Sequence, residues 1–424
     1  MADASPAWAP AVRTTLAIPG IPPLLLQGLV AAQRRAQLPS LALVGGAVRD
    51  LLLHRVHNDP WRGLPDLDLV VQGRASALVA ALRQQLPAGA CRSALEHGAY
   101  GTVELELALE GQTWLLDVAS ARREIYPLPA ENPQVTLGAL ADDLARRDFS
   151  INAIALDLAS GQLLDPHGGQ VDLQQRQLRL LHGGSLRDDP TRLVRGARYA
   201  ARLGFVLEVS SLEQAHRTLA AWPWAWRPGD PPGLAPAALG TRLRMELELL
   251  LEREPWRRAL TALQAWGGLA LLDPQLQADR HWRQRLVWAG RLGLPLLPAL
   301  LAGAAEPLAL AERLQLPHRQ HRLLAHWLQL RSHLPATASA ARLLTVPDWC
   351  ALLEGPGHGP EAVALALATG SGPRRPLLRW LLRWRHLRSP VQAAELINAG
   401  MRPGPALGEE LRRRRAERLA AERC

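Results

Sequence analysis

The sequence predicts an α+β chain, with a head built on a small mixed β-sheet and an all-helical remainder. Three observations carry that reading. Leu43–Val71 (LVGGAVRDLLLHRVHNDPWRGLPDLDLVV) runs from an apolar lead-in through a Gly45-Gly46 turn and a helix with Arg49 and Asp50 to a strand bearing Asp66 and Asp68. In Tyr100–Leu109, Val103, Leu105, Leu107 and Leu109 alternate with Glu104, Glu106 and Ala108, the period of a half-buried strand. Beyond Leu276 the chain is Leu/Ala/Arg-rich, with helical periods broken by prolines.

At 424 residues the chain is long enough for about three domains, and 48% hydrophobic content argues for a proper core. All 49 basic residues are arginine, and the net charge of +10 suits a polyanionic partner without separating RNA from a membrane surface. Cys91, Cys350 and Cys424 are too widely spaced to suggest a disulfide framework or a zinc site. The first residues, MADASPAWAPAVRTT, lack a basic stretch followed by an apolar run, and Leu292–Ala305 is too short and Pro-broken to cross a bilayer. A soluble, cytoplasmic protein is expected.

Residues 1–40 read as an arm followed by a helix, Pro22–Gln37, packed on a first strand at Leu41–Val44. Paired glycines let backbone N–H groups approach an anion, and the helix after them points its positive dipole end the same way. Asp66 and Asp68 project to one side of their strand while Leu67 and Leu69 point into the core. Two close carboxylates facing a phosphate cradle form the layout of a two-metal phosphoryl-transfer site, with Mg²⁺ expected because its ligands would be oxygens. An isolated Asp-x-Asp is a weak signal; the ordered combination carries the argument. Next come a helix over Ala75–Leu86 and a hairpin that turns at Glu110-Gly111 into Thr113–Val118. Asp117 ends the second strand, either as a third metal-site carboxylate or as a turn cap. Arg122–Leu137, with three prolines and no period, reads as a flexible loop.

GGAVRD followed by DLDLVV resembles the head domain of the class II tRNA nucleotidyltransferase and bacterial poly(A) polymerase family. The link His54–Pro65 is several residues longer than the family's and is expected to form a surface loop. DVASAR, around Asp117, is similar to the family's equivalent strand. In Leu144–Leu158 (LARRDFSINAIALDL), Ser150 replaces the threonine of the family's RRDFTINA. Arg147 offers a planar fork to phosphate, while Asp148 and Asn152 suit a ribose hydroxyl or the loop that holds it; bracing of a helix start is the other reading. In Leu164–Leu173, which resembles the family's hinge, Asp165 and Asp172 read as turn and cap residues.

The third motif is Asp188–Phe205 (DDPTRLVRGARYAARLGF). Pro190 suits a first helical turn, with Asp188 or Asp189 as its cap. Arg192, Arg195, Arg198 and Arg202 fall on one helical stripe, opposite Leu193, Val194, Ala197, Ala200 and Ala201, and a solvated face is the plainest reading of it. The resemblance implies that Asp189 and Arg192 stand where the family's aspartate and arginine select the incoming base. Asp188 replaces the usual glutamate and Pro190 is atypical. Trp222–Pro236 reads as an RNA-stacking segment or as a linker with tryptophan anchors. Gly240–Leu251 is similar to the neck helix with Thr241 in place of glutamate, and the resemblance extends over residues 41–276. Glu409–Arg423 reads as a basic C-terminal helix.

The implied plan is an arm (1–40), a catalytic head (41–157), a nucleotide-selecting neck (158–255) and a tRNA-binding body and tail (256–424). The implied activity is metal-dependent addition of CMP and/or AMP to the 3′ end of tRNA. Its substrates would be CTP and ATP. Asp66 and Asp68 would hold Mg²⁺, Asp117 would be a third catalytic carboxylate, and Gly45, Gly46, Arg49, Arg147, Asp148, Asn152, Asp189, Arg192, Arg195 and Arg198 would bind the nucleotide. A poly(A) polymerase of the same fold, or an enzyme adding only CC or only A, fits the same motifs. A non-catalytic RNA-binding module is the alternative of another class, and it has no need of metal-spaced carboxylates.

Overall fold

The computed structural model describes residues 17–63, 67–86, 89–98, 101–109, 111–221, 237–335 and 337–422, so Asp66, Cys424 and Trp222–Pro236 lie outside the described residues. The described chain forms two compact units. The first runs from 17 to 221 and takes in 237–239 and 254–267; the second comprises 240–253 and 268–422.

The first unit begins with α1 (Pro23–Arg35), β1 (Leu41–Val44), α2 (Gly46–His57), β2 (Leu67–Val71), α3 (Ala75–Arg83), β3 (Cys91–His97), β4 (Thr102–Leu109) and β5 (Gln112–Ser120). A short hairpin, β6 (Arg122–Ile125) and β7 (Gln134–Leu137), leads to α4 (Leu140–Ala145), β8 (Ala155–Asp157) and β9 (Leu163–Leu164). Seven strands form one mixed sheet in the order β3-β4-β5-β2-β1-β8-β9, with β2 and β5 parallel and the other pairs antiparallel.

Alternation divides the two faces of this sheet. Leu67, Leu69, Val103, Leu105, Leu107, Leu116 and Val118 are buried, with α3 packed on β2, β4 and β5 and α1 packed on α3. On the other face Val70 joins Ala42, Val44, Ala155 and the α4 residues Leu140 and Leu144 in a second core cluster. Asp68 lies two residues before Val70 and therefore points to that same face, at the rim of the cluster.

The chain continues through α5 (Gly169–Gln175), α6 (Ser185–Asp188), α7 (Thr191–Leu203), α8 (Val209–Ala221), α9 (Ala237–Arg253) and α10 (Trp256–Ala265), and α10 packs on α7. The second unit's described residues carry helices and no strand. At its centre the helix Pro360–Thr369 is buried from Ala362 to Ala368 and packs against Trp282–Arg291, His318–His333 and Arg374–Leu382. A helix apolar all round has no solvent face to offer, which is why it becomes the core of this unit. Trp327, Trp349 and Trp384 are fully buried. The C-terminal helix, Pro405–Ala420, buries Leu407 and Leu419, and its arginines pair with Glu410, Glu417 and Glu354. No helix among the described residues is long and apolar enough to cross a membrane.

One sequence expectation needs correction, that for Arg122–Leu137, and two features go beyond what the sequence announced. Cys91–His97 is a strand that no alternation announced: its residues are almost all exposed, as befits an edge. Arg122–Leu137, expected as a flexible loop, contains the β6–β7 hairpin. The long link after α2 is anchored, because Asp59 accepts from both terminal nitrogens of Arg176, at 2.6 and 3.2 Å, and the His54 and Trp61 rings meet at 5.4 Å.

Candidate active site

Gly45 turns the chain from β1 into α2 with φ of +68°, a conformation that costs glycine nothing. A Cβ there would lie 3.3 Å from both Arg147 Nη1 and Asp68 Oδ2, so the turn sits between the arginine fork and the carboxylate. In the parallel β2–β5 pair Asp68 stands in register with Asp117. The two side chains therefore share a face on strands about 4.8 Å apart. Asp68 is half-buried and Asp117 is exposed. That register removes the ambiguity about the face of Asp117.

A cleft of about 330 Å³ opens beside them, lined by Gly45, Gly46, Asp68, Glu124, Tyr126, Arg146, Arg147, Asp148, Asn152, Asp189, Arg192, Arg195 and Tyr199. Sequence elements about 150 residues apart thus converge on one polar hollow. Arg147 is held by Asp143, whose Oδ2 accepts from Nη2 at 3.0 Å. Asp148 is buried; it accepts from Phe149 N at 2.7 Å and Asn152 Nδ2 at 3.0 Å, and Arg195 Nη1 stands 3.4 Å away. Burial alone would push the Asp148 carboxyl up, but Arg195, the Asn152 amide and Arg192 outweigh it and hold it below the usual carboxylate range.

Asp189 caps α7: its Oδ1 accepts from Thr191 N at 3.1 Å and Thr191 Oγ1 at 2.7 Å, and Oδ2 lies 3.9 Å from Arg195. Asp188 does not line the cleft. It is 3.8 Å from His182, and burial pushes its carboxyl up. Arg192 is 4% exposed and donates to Ser185 Oγ at 2.5 Å and to the Arg146 carbonyl at 2.7 Å.

Two expected ligands lie outside the cleft wall and pair with buried acids. Arg49, expected on the triphosphate, is 3% exposed and absent from the cleft wall; it donates to both oxygens of Asp50, at 2.8 and 3.0 Å, and to Asn152 Oδ1 at 2.9 Å. Arg198 also misses the cleft and lies 3.5 Å from buried Glu254, which Arg202 also grips. The arginine stripe of α7 is therefore not a solvated face, because the buried acid between its lower rungs comes from a distant segment. Asp165 does cap α5, accepting from Gly169 N at 2.7 Å, whereas Asp172 is taken by Ser150 and Arg179.

Glu124 and Tyr126, on the β6–β7 hairpin segment, went unnoticed in the sequence. Glu124 accepts from Arg122 at 2.8 Å, Arg146 at 3.1 Å and the Tyr126 hydroxyl at 3.0 Å, and burial together with that carboxylate pushes the Tyr126 phenol well above its ordinary value. Nothing local marks these residues. Arg146 had a faint signal, since it follows Asp143 at helical spacing.

The described residues offer oxygen donors suited to a hard divalent cation, in Asp68 beside the closely packed Gly45 turn and Asp117 in register with it. No group of three or more metal-binding side chains is found among the described residues, and Asp66 lies outside them. The donor chemistry fits Mg²⁺.

Residues 41–179 match the family described as the Poly A polymerase head domain. The chain is 39% identical over 351 residues to a CC-adding tRNA nucleotidyltransferase of Deinococcus radiodurans, an alignment covering 80% of this chain and 82% of that protein. It belongs to the class II CCA-adding family of tRNA nucleotidyltransferases. An A-adding tRNA nucleotidyltransferase of Halalkalibacterium halodurans is 38% identical over 190 residues, 42% of this chain and 39% of that one. Among solved structures, an apo CCA-adding enzyme superposes with a TM-score of 0.70 at 23% identity, covering 96% of this chain and 95% of that one. The Thermotoga maritima CCA-adding enzyme complexed with tRNA gives 0.66 at 22% identity, covering 96% and 94%. At such identity the superpositions speak for the fold alone, which this nucleotidyltransferase shares over nearly all of its length.

Proposed function

We propose that the protein extends the 3′ end of tRNA, using CTP and/or ATP. The observation that carries this reading is Asp68 in the cleft wall next to Gly45 and Arg147, with Asp117 in register beside it on the neighbouring strand. Asp68 and Asp117, with Asp66, would hold Mg²⁺. When bound, the metal supplies Lewis acidity, lowering the pKa of the attacking 3′-hydroxyl and neutralising charge on the α-phosphate. The backbone of Gly45 and Gly46 and the fork of Arg147 receive the triphosphate. Asp148 and Asn152 hold the ribose end. Asp189 and Arg192 present acceptor and donors to the base, a pattern that cytosine and adenine match and that uracil and guanine present in the wrong order. The +10 charge suits the RNA partner, and the cytoplasm is where both substrates would be met.

Within this reading we favour CC addition. One CC-adding relative aligns along 82% of its own length and a second along 40%, whereas the A-adding relatives align along 19–48% of theirs. The test is incubation with tRNA transcripts ending at the discriminator base, at C or at CC, each with labelled CTP or ATP. CMP is expected on the first two, with the product stopping at CC. AMP on the CC-ended transcript would convert the reading to full CCA synthesis, and no incorporation on any transcript would overturn it.

A further inference from the structure

Asp143 is, among the described residues of the first unit, the carboxylate in which full burial meets two arginines of the cleft wall. It lies on α4 with no exposed surface. Its Oδ1 accepts from Arg146 Nε at 2.9 Å and Nη2 at 2.7 Å, and its Oδ2 accepts from Arg147 Nη2 at 3.0 Å. Every hydrogen bond to this carboxylate thus comes from a guanidinium that lines the cleft, and none of the roles assigned above uses it. Burial would push its carboxyl up, but the charges of Arg147 and Arg146 prevail and keep it ionised. Arg147 then has one terminal nitrogen fixed on Asp143 while the other lies 3.5 Å from the Asn152 carbonyl, beside the Gly45 turn.

We infer that Asp143 is the positioning residue of the triphosphate site: it aims the Arg147 fork at the anion that Gly45 and Gly46 receive. The inference rests on the reading of this cleft as a nucleoside triphosphate site. It opposes what charge alone demands. A buried anion behind the phosphate-binding arginines lowers the local positive potential, so removing it would tighten a polyanion if potential were all that mattered. A guanidinium earns its selectivity for phosphate through geometry, and a long side chain freed from its anchor loses that geometry to rotamer entropy.

The two views diverge in Asp143→Asn, which keeps the shape and removes the charge. Equilibrium dialysis with labelled CTP in the presence of Mg²⁺, with pyrophosphate and CMP as competitors, reads the outcome. Affinity for CTP and for pyrophosphate should fall about tenfold, the loss of roughly one charge-assisted contact, while CMP competes as well as with wild type. In an Arg147→Gln background the same substitution should have no further effect, because Asp143 acts through that fork. Asp143→Glu retains the charge but displaces it, and should weaken CTP in the same way; it also serves if the Asn variant does not fold. Unchanged or tighter CTP binding in these variants, or equal loss for CMP, would overturn the inference. Wild-type protein that fails to bind CTP at all would instead count against the triphosphate reading itself.

Discussion

Two arrays of charge border the cleft, one on the β2–β5 pair and one on α7. On the strands, Asp68 and Asp117 stand in register on one face of the sheet, the first half-buried in the cleft wall and the second exposed outside it. On the helix, Arg192 is sunk onto Ser185 and a backbone carbonyl, while Arg198 and Arg202 flank buried Glu254. Arg195 alone of the four reaches between Asp148 and Asp189. A central strand presents alternate side chains to whatever lies above the face of its sheet. A helix packed on another helix surrenders part of any polar stripe to its neighbour. Charge on such a strand can thus be turned towards a substrate, whereas charge on a packed helix partly holds the fold.

Arg49 gives the sharpest way to break that comparison, because it sits in the glycine motif yet belongs with the braces. Arg49→Met should leave Asp50 buried without its partner and destabilise the first unit by about 3–5 kcal/mol in denaturant unfolding. If stability held and CTP affinity collapsed instead, Arg49 would be a ligand after all. Asp189→Ala should relax discrimination against UTP and GTP about ten- to a hundredfold, worth roughly 1.5–3 kcal/mol, because a buried acceptor for the base is lost. It should also cost about 1 kcal/mol of stability through the Thr191 cap. Asp188→Ala should leave the nucleotide ratios alone, and equal ratios in both variants would reduce the motif to a helix cap.

The smallest effect belongs to Glu208, whose carboxylate accepts from the backbone and hydroxyls of Ser210 and Ser211 at the start of α8. Burial is the largest single influence and raises its carboxyl, but the bonds to Ser210 and Ser211 together outweigh it and bring the carboxyl down to about 2. The folded value lies below the unfolded one, so the bonus is complete above the ordinary carboxylate range and is lost as pH falls towards 2. For a half-solvated group it amounts to about 1 kcal/mol after screening. Glu208→Gln should flatten that part of the acid-stability curve; an unchanged curve would remove Glu208 from the account.

Much of the head was legible because its period is local. Leu41–Val44, the Gly45 turn and the Asp68 strand appear where alternation and glycine placed them. What stayed hidden depends on partners far along the chain. Glu254 lies 52 residues from Arg202, so a paired stripe looked like a solvated one. Glu124 meets Arg146 across 22 residues, which is why a proline-bearing segment holds a hairpin rather than a loop. β3 escaped notice because an edge strand with both faces open has no reason to alternate.

The most direct test is transfer of labelled CMP to a tRNA transcript ending at its discriminator base, comparing wild type with Asp68→Ala. Removing a metal-holding carboxylate should cut transfer by roughly a thousandfold or more, and Asp117→Ala by about a hundredfold. Asp68 lines the cleft, so its loss should fall on transfer while the affinity for tRNA stays at the wild-type value. Near-normal transfer by the folded Asp68→Ala protein would contradict the account, because the cleft would then not be where the phosphate is attacked.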